Sequence, residues 1–233
     1  MDINTGETLT IIGGSGTGKS VLLKHIVGLM KPDAGTVFVD DVETSRLVED
    51  ELFKIQSRFG YLFQGAALFD SLTVGENVAF GLWNLRPDLA KNWREIAVKN
   101  LTLVGLGPEV VDMKPAELSG GMKKRVALAR AVACQPDYVL YDEPTTGLDP
   151  IMADVINDLI LELRQKLGVT AVAVTHDMKS AYKISNRIAM LYEGRIVAVG
   201  TSEEIQGSRD SLVQQFITGS SQGPIKMQVR SYA

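Results

Sequence analysis

Residues 13–20 read Gly13-Gly14-Ser15-Gly16-Thr17-Gly18-Lys19-Ser20, a match to G-x-x-x-x-G-K-S. Glycines at these spacings let backbone N–H groups turn inward around phosphate oxygens, along a path that residues with a Cβ resist. A helix that opens at Lys19 would aim the positive end of its dipole at the same anion. Lys19 is then placed for the outer phosphates of a nucleoside triphosphate and the Ser20 hydroxyl for Mg²⁺. A chance glycine-rich turn is the alternative, but an apolar strand pattern before the loop and a helical one after it argue against that.

Asp142-Glu143 forms the second chemical element. It closes the apolar run Tyr138-Val139-Leu140-Tyr141, and a buried strand ending in two carboxylates needs a compensating partner. A hydrated Mg²⁺ supplies one for Asp142, and Glu143 is left to orient and deprotonate an attacking water. Taken alone, the pair could simply face solvent. The third element is Leu118-Ser119-Gly120-Gly121-Met122. Ser119 suits a helix N-cap, and the two glycines allow close backbone approach to another molecule. A phosphate-binding loop and a second bare helix start give one chain two anion sites. The second is therefore expected to serve a nucleotide held by another copy, although an ordinary Ser-capped helix would look the same. Lys123, Lys124 and Arg125 follow and oppose the dipole of that helix; a nearby bound phosphate or a solvated face would each account for them. His25 falls mid-helix and reads as structural.

These elements sit in an alternation of strand-like and helix-like segments, the pattern of a mostly parallel sheet covered by helices. Strands are expected at 7–12, 35–39, 59–63, 137–142, 169–175, 187–192 and 195–199, and a helix at 19–29. Between about 72 and 118 the β-branched runs give way to two helical stretches, 74–83 and 89–104, separated by Arg86-Pro87-Asp88. A long helix follows Pro150, with Val155, Leu159, Leu163 and Leu167 on one face. Residues 218–224 read as a flexible link. In the tail, Ile225, Met227 and Val229 alternate with polar residues, which suits an extended strand docking on a neighbouring subunit.

Composition narrows the class. Lys and Arg number 24 against 28 Asp and Glu, a net charge of −4, which excludes the basic footprint of a general nucleic-acid binder. Cys134 is the single cysteine, so no intrachain disulfide forms and a reducing compartment is expected. No run approaches the ~20 apolar residues of a membrane span, and the polar, acidic start does not suit a signal peptide. Any membrane link is expected to run through a partner.

Over essentially its whole length, the chain resembles the nucleotide-binding domain of ABC transporters. The resemblance rests on the phosphate loop, Gln64, Leu118 to Met122, Asp142-Glu143, Gly147-Leu148-Asp149 and His176, in that order. It implies an α/β P-loop NTPase core over 1–217, with a helical subdomain at about 65–135 inserted in it, followed by a linker and tail at 218–233. It further implies ATP and Mg²⁺ as ligands and a head-to-tail homodimer with two ATP molecules at the interface. Ser119, Gly120 and Gly121 would meet the γ-phosphate on the partner, and Asp149 would communicate across the dimer. Gln64 would sense Mg²⁺ and the attacking water, and His176 would hold the γ-phosphate and Glu143. Integral-membrane permease subunits are the implied partners, with a cytoplasmic location, peripheral on the inner membrane.

A narrower resemblance, to the ATPases of Mla/Mce-type lipid transport systems, rests on 20–25 (SVLLKH), 65–74 (GAALFDSLTV), Met122, 175–178 (THDM), 215–217 and 223–225. It implies phospholipid movement between bacterial envelope membranes and, as a further partner, a substrate-binding lipid-carrier protein. Transport of another small solute and a soluble ABC ATPase are the rival functions. The family carries an early β segment with an aromatic residue that stacks on adenine, whereas residues 1–12 hold no Phe, Tyr or Trp. Either the start codon is misassigned, which is the expectation, or the usual adenine platform is lacking.

Overall fold

The computed structural model describes residues 1–226. Six strands form the main sheet: β1 (Thr8–Ile12), β4 (Phe59–Leu62), β5 (Tyr138–Asp142), β6 (Thr170–Thr175), β7 (Arg187–Tyr192) and β8 (Arg195–Gly200). Their order is β4-β5-β6-β1-β7-β8, and every pairing is parallel except β7 with β8. β1, β5 and β6 are buried along their whole length apart from Tyr138. That explains why they carry no charged residue before Asp142. A P-loop NTPase core follows from this topology: β1 lies between β6 and β7, with α1 (Lys19–Ile26) packed on the sheet.

A two-residue hairpin, β2 (Phe38–Val39) with β3 (Val42–Glu43), stands where one strand over 35–39 was expected. Asp40 makes its turn in the left-handed region (φ 52°). The helix α2 (Glu49–Gln56) comes next. Helices α3 (Val74–Ala79), α4 (Leu82–Leu85), α5 (Pro87–Ala90), α6 (Trp93–Leu103) and α7 (Gly120–Val132) fill the segment between β4 and β5. Thr73 starts α3 with a reciprocal capping box to Glu76. Pro87 does not merely separate two helices; it opens α5 from the first position, where its missing N–H costs nothing. The helical segment shares one continuous core with the sheet, in which Leu62 and Tyr141 meet Val74, Leu101 and Val126.

The helix α8 (Pro150–Leu167) buries a face rotated from the expected one, keeping Leu163 in the core and Leu159 packed against it. Ile156, Ile160 and Leu163 are inside, whereas Val155 and Leu167 are both 38% exposed. Both stripes are apolar, and the sheet selects the one that fits its neighbours. Met178–Ile184 (α9), Ser202–Gln206 (α10) and Ser211–Thr218 (α11) complete the described helices.

Residues 218–224 are not a free link. Thr218 ends α11 and Gly219 caps it in the left-handed conformation. The buried Gln215 amide then clamps the turn beyond the cap: it accepts from Ile225 N at 2.6 Å and donates to Ile225 O (3.0 Å) and Ser220 O (3.3 Å). Ile225 thereby packs near Val213 and Met190. The alternating residues beyond Lys226 lie outside the described residues.

Candidate active site

Four neighbouring parallel strands end at the same edge of the sheet, so the residues after them converge there. β1 runs into the loop at 13–18, β4 into Phe63-Gln64, β5 into Glu143 and β6 into His176. The carboxyl edge of such a sheet is where α/β proteins bind ligands. At the loop, a Cβ on Gly13 would collide with the Leu191 carbonyl oxygen. Gly16 and Gly18 adopt φ of 77° and 99°, which other residues resist. Gly18 precedes α1, whose first turn carries neither a side-chain cap nor an acidic residue. Its N–H groups therefore remain available to an anion. The Thr17 hydroxyl donates to Gly14 O (2.9 Å) and fixes the turn, while Ser15 and Gly16 lie at the surface.

Lys19 is buried, and its amine donates to Gly13 O (2.8 Å) and Gly14 O (3.0 Å), 3.7 Å from Glu143 Oε1. Burial pushes its pKa down, against the pull of Glu143 and Asp142. Ser20 donates to Asp142 Oδ1 at 2.9 Å, and the Tyr61 hydroxyl reaches Asp142 Oδ2 at 3.4 Å. Burial, then the Asp142 charge, pushes the Tyr61 phenol pKa up. A hydroxyl and a carboxylate are hard oxygen donors of the type Mg²⁺ takes. No cluster of three or more His, Cys, Asp or Glu is placed to hold a metal among the described residues.

Glu143 leaves the sheet abruptly. Its N–H still pairs with Val174 O (2.9 Å), but its φ is 49°, a strained value for a residue with a side chain. Its carboxylate accepts from Thr146 (3.0 Å) and Thr175 (3.4 Å) and meets His176 Nδ1 at 2.9–3.0 Å. Because the partner is a carboxylate, Nδ1 must carry the proton. The His176 ring is otherwise exposed, so one buried carboxylate links Lys19 to a group at the rim.

Gln64 is exposed, and no side-chain bond joins it to Asp142 among the described residues; its backbone carbonyl accepts from Lys124. Ser119 caps α7, accepting from Met122 N at 3.3 Å, and Ser119 and Gly120 stand at the surface. A Cβ on Gly121 would come 2.8 Å from the Met152 side chain, so this segment lies against the start of α8. There Asp149 caps the helix, accepting from Ile151 N and Met152 N at 3.0 Å. Ser119, Gly120 and Asp149 thus form one exposed patch, with Gly121 buried beneath it against Met152. The structure does not bring them into hydrogen bonding with the loop at 13–20 of the same chain. His25 lies away from all this, its Nδ1 against Met30 O at 3.0 Å.

The family model described as "ABC transporter" matches residues 1–146. The chain belongs to the ABC transporter family. It has the fold of that family's ATPases: it superposes on the ATP-binding cassette MJ0796, solved as a dimer in a post-hydrolysis state with ADP and Pi, at a TM-score of 0.80 and 36% identity, covering 87% of this chain and 88% of that one. It is 39% identical to the "Intermembrane phospholipid transport system ATP-binding protein MlaF" of Haemophilus influenzae, over 97% of this chain and 85% of the relative. It is 37% identical to the "Probable ribonucleotide transport ATP-binding protein mkl" of Mycobacterium leprae, again over 97% of this chain. The chain spans only 65% of that relative's length.

Three features of this ABC-family chain were not legible in its sequence. Lys124, which charge alone suggested could be a solvated residue, is buried and also donates to Glu143 O at 3.2 Å. Thr146 and Thr175 hold the Glu143 carboxylate, although as lone threonines they carry no signal. Behind His176, Ser180 gives its only proton to Asp177 Oδ2 (2.6 Å) and accepts from Asn157 (2.9 Å). Thr145, 3.2 Å away, must therefore donate to Ser180. This network ties α8 and α9 to the residue after Glu143-Pro144.

Proposed function

We propose that the chain is the ATP-hydrolysing subunit of a transporter that moves phospholipid across the bacterial envelope, working as a homodimer on integral-membrane permease subunits. The observation that carries the hydrolytic reading is the convergence of Lys19, Asp142, Glu143 and His176 at the ends of adjacent strands. In this reading the N–H groups of 13–18 and the Lys19 amine bind the β- and γ-phosphates. Ser20, Asp142 and Gln64 would hold Mg²⁺, which when bound offsets the charge developing on the phosphates. Glu143 accepts the proton of the attacking water, and its ring of donors aims the carboxylate. His176 orients Glu143 through Nδ1 and leaves Nε2 free for the γ-phosphate.

Ser119, Gly120, Gly121 and Asp149 then act in trans, which accounts for the exposure of Ser119, Gly120 and Asp149. An aromatic cluster that follows Gln64 in the chain suits the permease: Phe69 packs at a tilt on Phe80 at 4.5 Å, and Trp83 follows at 6.4 Å, each about two-fifths exposed. Such side chains are favoured at protein interfaces. None of the described helices is long and apolar enough to cross a membrane; in this reading the permease subunits span it. For the cargo, the support is the likeness to the phospholipid-named relative together with the 65–74 and 175–178 segments. Relatives of similar identity carry other substrate names, so the cargo needs its own experiment. The chain is captured from detergent-extracted membranes with its partners and reconstituted in vesicles with labelled phospholipid. ATP-dependent lipid movement, absent in Glu143→Gln, is expected. ATPase activity that responds to a soluble solute and not to lipid would overturn the cargo.

A further inference from the structure

Two consecutive residues after Gln64, Ala66 and Ala67, adopt φ of 63° and 48°. Alanine resists this left-handed path, and two in a row hold only where the surroundings over-determine them. The surroundings here are two basic side chains of α7. Arg130, in the last turn, donates to Ala66 O (2.6 Å) and Ala67 O (2.7 Å). Lys124, nearer the start, donates to Gln64 O and also to Glu143 O at 3.2 Å. Glu143 is itself left-handed. The carbonyls around every strained backbone step beside the proposed γ-phosphate site are thus gripped from a single helix.

A solvated role for Lys124 is excluded, since it is 5% exposed. Nor is it a plain ion pair, because both hydrogen-bond partners are neutral carbonyls. Burial of an amine on such partners is costly, and the attraction of Asp142 and Glu143 offsets part of that cost. The same helix opens with Ser119-Gly120-Gly121, so a shift of its N-terminus is carried rigidly to both cations.

We infer that Lys124 and Arg130 are positioning residues that hold the Gln64–Ala67 loop in its strained path, and that Lys124 locks this loop to the backbone of Glu143. Through them α7 sets the water-sensing and proton-accepting groups together. The inference rests on the roles proposed above for Gln64 and Glu143, but its first test does not.

Amide hydrogen exchange on the nucleotide-free full chain reads the lock directly. Two amides report it: Ala66, which donates to Phe63 O, and Glu143, which donates to Val174 O, both at 2.9 Å. In Lys124→Met both are expected to exchange at least about tenfold faster, while amides of β1 keep their rates. ATP turnover is expected to fall about 10- to 100-fold in kcat with less than about a threefold change in KM, the mark of a group that acts on the reacting centre and not on binding. Lys124→Arg keeps the charge and the donors and should recover most of both losses. Unchanged exchange at Ala66 and Glu143 in Lys124→Met overturns the proposal. So does faster exchange throughout β1, which would mean a general loss of stability, or an arginine variant as impaired as the methionine one. If Lys124→Met does not fold, Arg130→Lys serves: it keeps charge without the fork that spans two carbonyls. Ala66 must then exchange faster, and an unchanged rate overturns the proposal. Normal turnover in Glu143→Gln would remove the catalytic reading while leaving the exchange result standing.

Discussion

Replacing Glu143 by Gln isolates one chemical property. The shape is conserved, and the amide oxygen can still accept from Thr146, Thr175 or His176, all within 3.4 Å of the carboxylate. What goes is the charge and the capacity to take a proton. Loss of a general base costs about 10²–10⁴-fold in rate, or about 2.7–5.5 kcal/mol of transition-state stabilisation. The fold should survive, because the ion pair lost is a 3.7 Å contact to a Lys19 amine that keeps both carbonyl partners. Nucleotide binding should hold or tighten, since a negative charge leaves the neighbourhood of the phosphates. The assay is paired: fluorescent-nucleotide titration for affinity and phosphate release for turnover, on wild type and variant at saturating Mg²⁺ and ATP. Turnover within threefold of wild type would refute the assignment of the base. A parallel loss of nucleotide affinity would instead show that Glu143 holds the site together.

Three further outcomes test other parts of the structure. Ser119→Arg and Lys19→Ala should each be inactive alone, but mixing them should restore about a quarter to a half of wild-type turnover if one good site per mixed dimer suffices for hydrolysis; no activity at any ratio refutes a site shared between subunits. Tyr141 is fully buried and its hydroxyl has no partner among the described residues, so Tyr141→Phe should raise stability to denaturant by about 1–3 kcal/mol. On α8, Ile160→Ala should cost about 2–5 kcal/mol, and Val155→Ala no more than about 0.5 kcal/mol; equal costs would contradict the buried face described.

The strands were readable because they are buried on both faces. β5 and β6 show as near-continuous β-branched and aromatic runs, and only the acidic pair breaks the pattern. The phosphate loop was readable because its glycines answer a backbone demand that no other residue meets. Elements whose identity is set by tertiary contact were not readable. The α8 pattern offers two apolar stripes, and sequence spacing cannot tell which one the sheet covers. The hairpin β2–β3 has two-residue strands, too short for periodicity to register. Lys124 shows only as a charge near a helix start. Its partners lie 60 and 19 residues away and are backbone carbonyls, which leave no trace in residue types. Gln215 is the same case on a smaller scale: one buried amide turns an apparent linker into an ordered turn.

The distribution of the chemistry bears on why the proposed motor should be paired. Every group assigned to holding and cleaving the nucleotide within the chain lies at the end of one of four adjacent strands or in the loop and helix start that follow it, so a single chain collects them without help. The patch at Ser119, Gly120 and Asp149 belongs to helix starts instead, and it carries an unusual apolar residue: Ile151, 80% exposed at the head of α8. An isolated exposed isoleucine needs no explanation on most surfaces. Here it adjoins the exposed start of α7, where the N–H groups of a helix N-terminus favour an anion; the start of α8 is already capped by Asp149. Apolar contact and phosphate contact are therefore offered by the same face, while the chain's own phosphate loop is joined to a different set of residues. A second copy presenting its loop and nucleotide to this face would cover both at once. Nucleotide then becomes part of the interface, and hydrolysis removes the contact that closes it. On the proposed reading, the switch between closed and open pairs lies in the γ-phosphate itself, and α7, which starts in that interface and ends on the Gln64–Ala67 loop, is the rigid element that senses it.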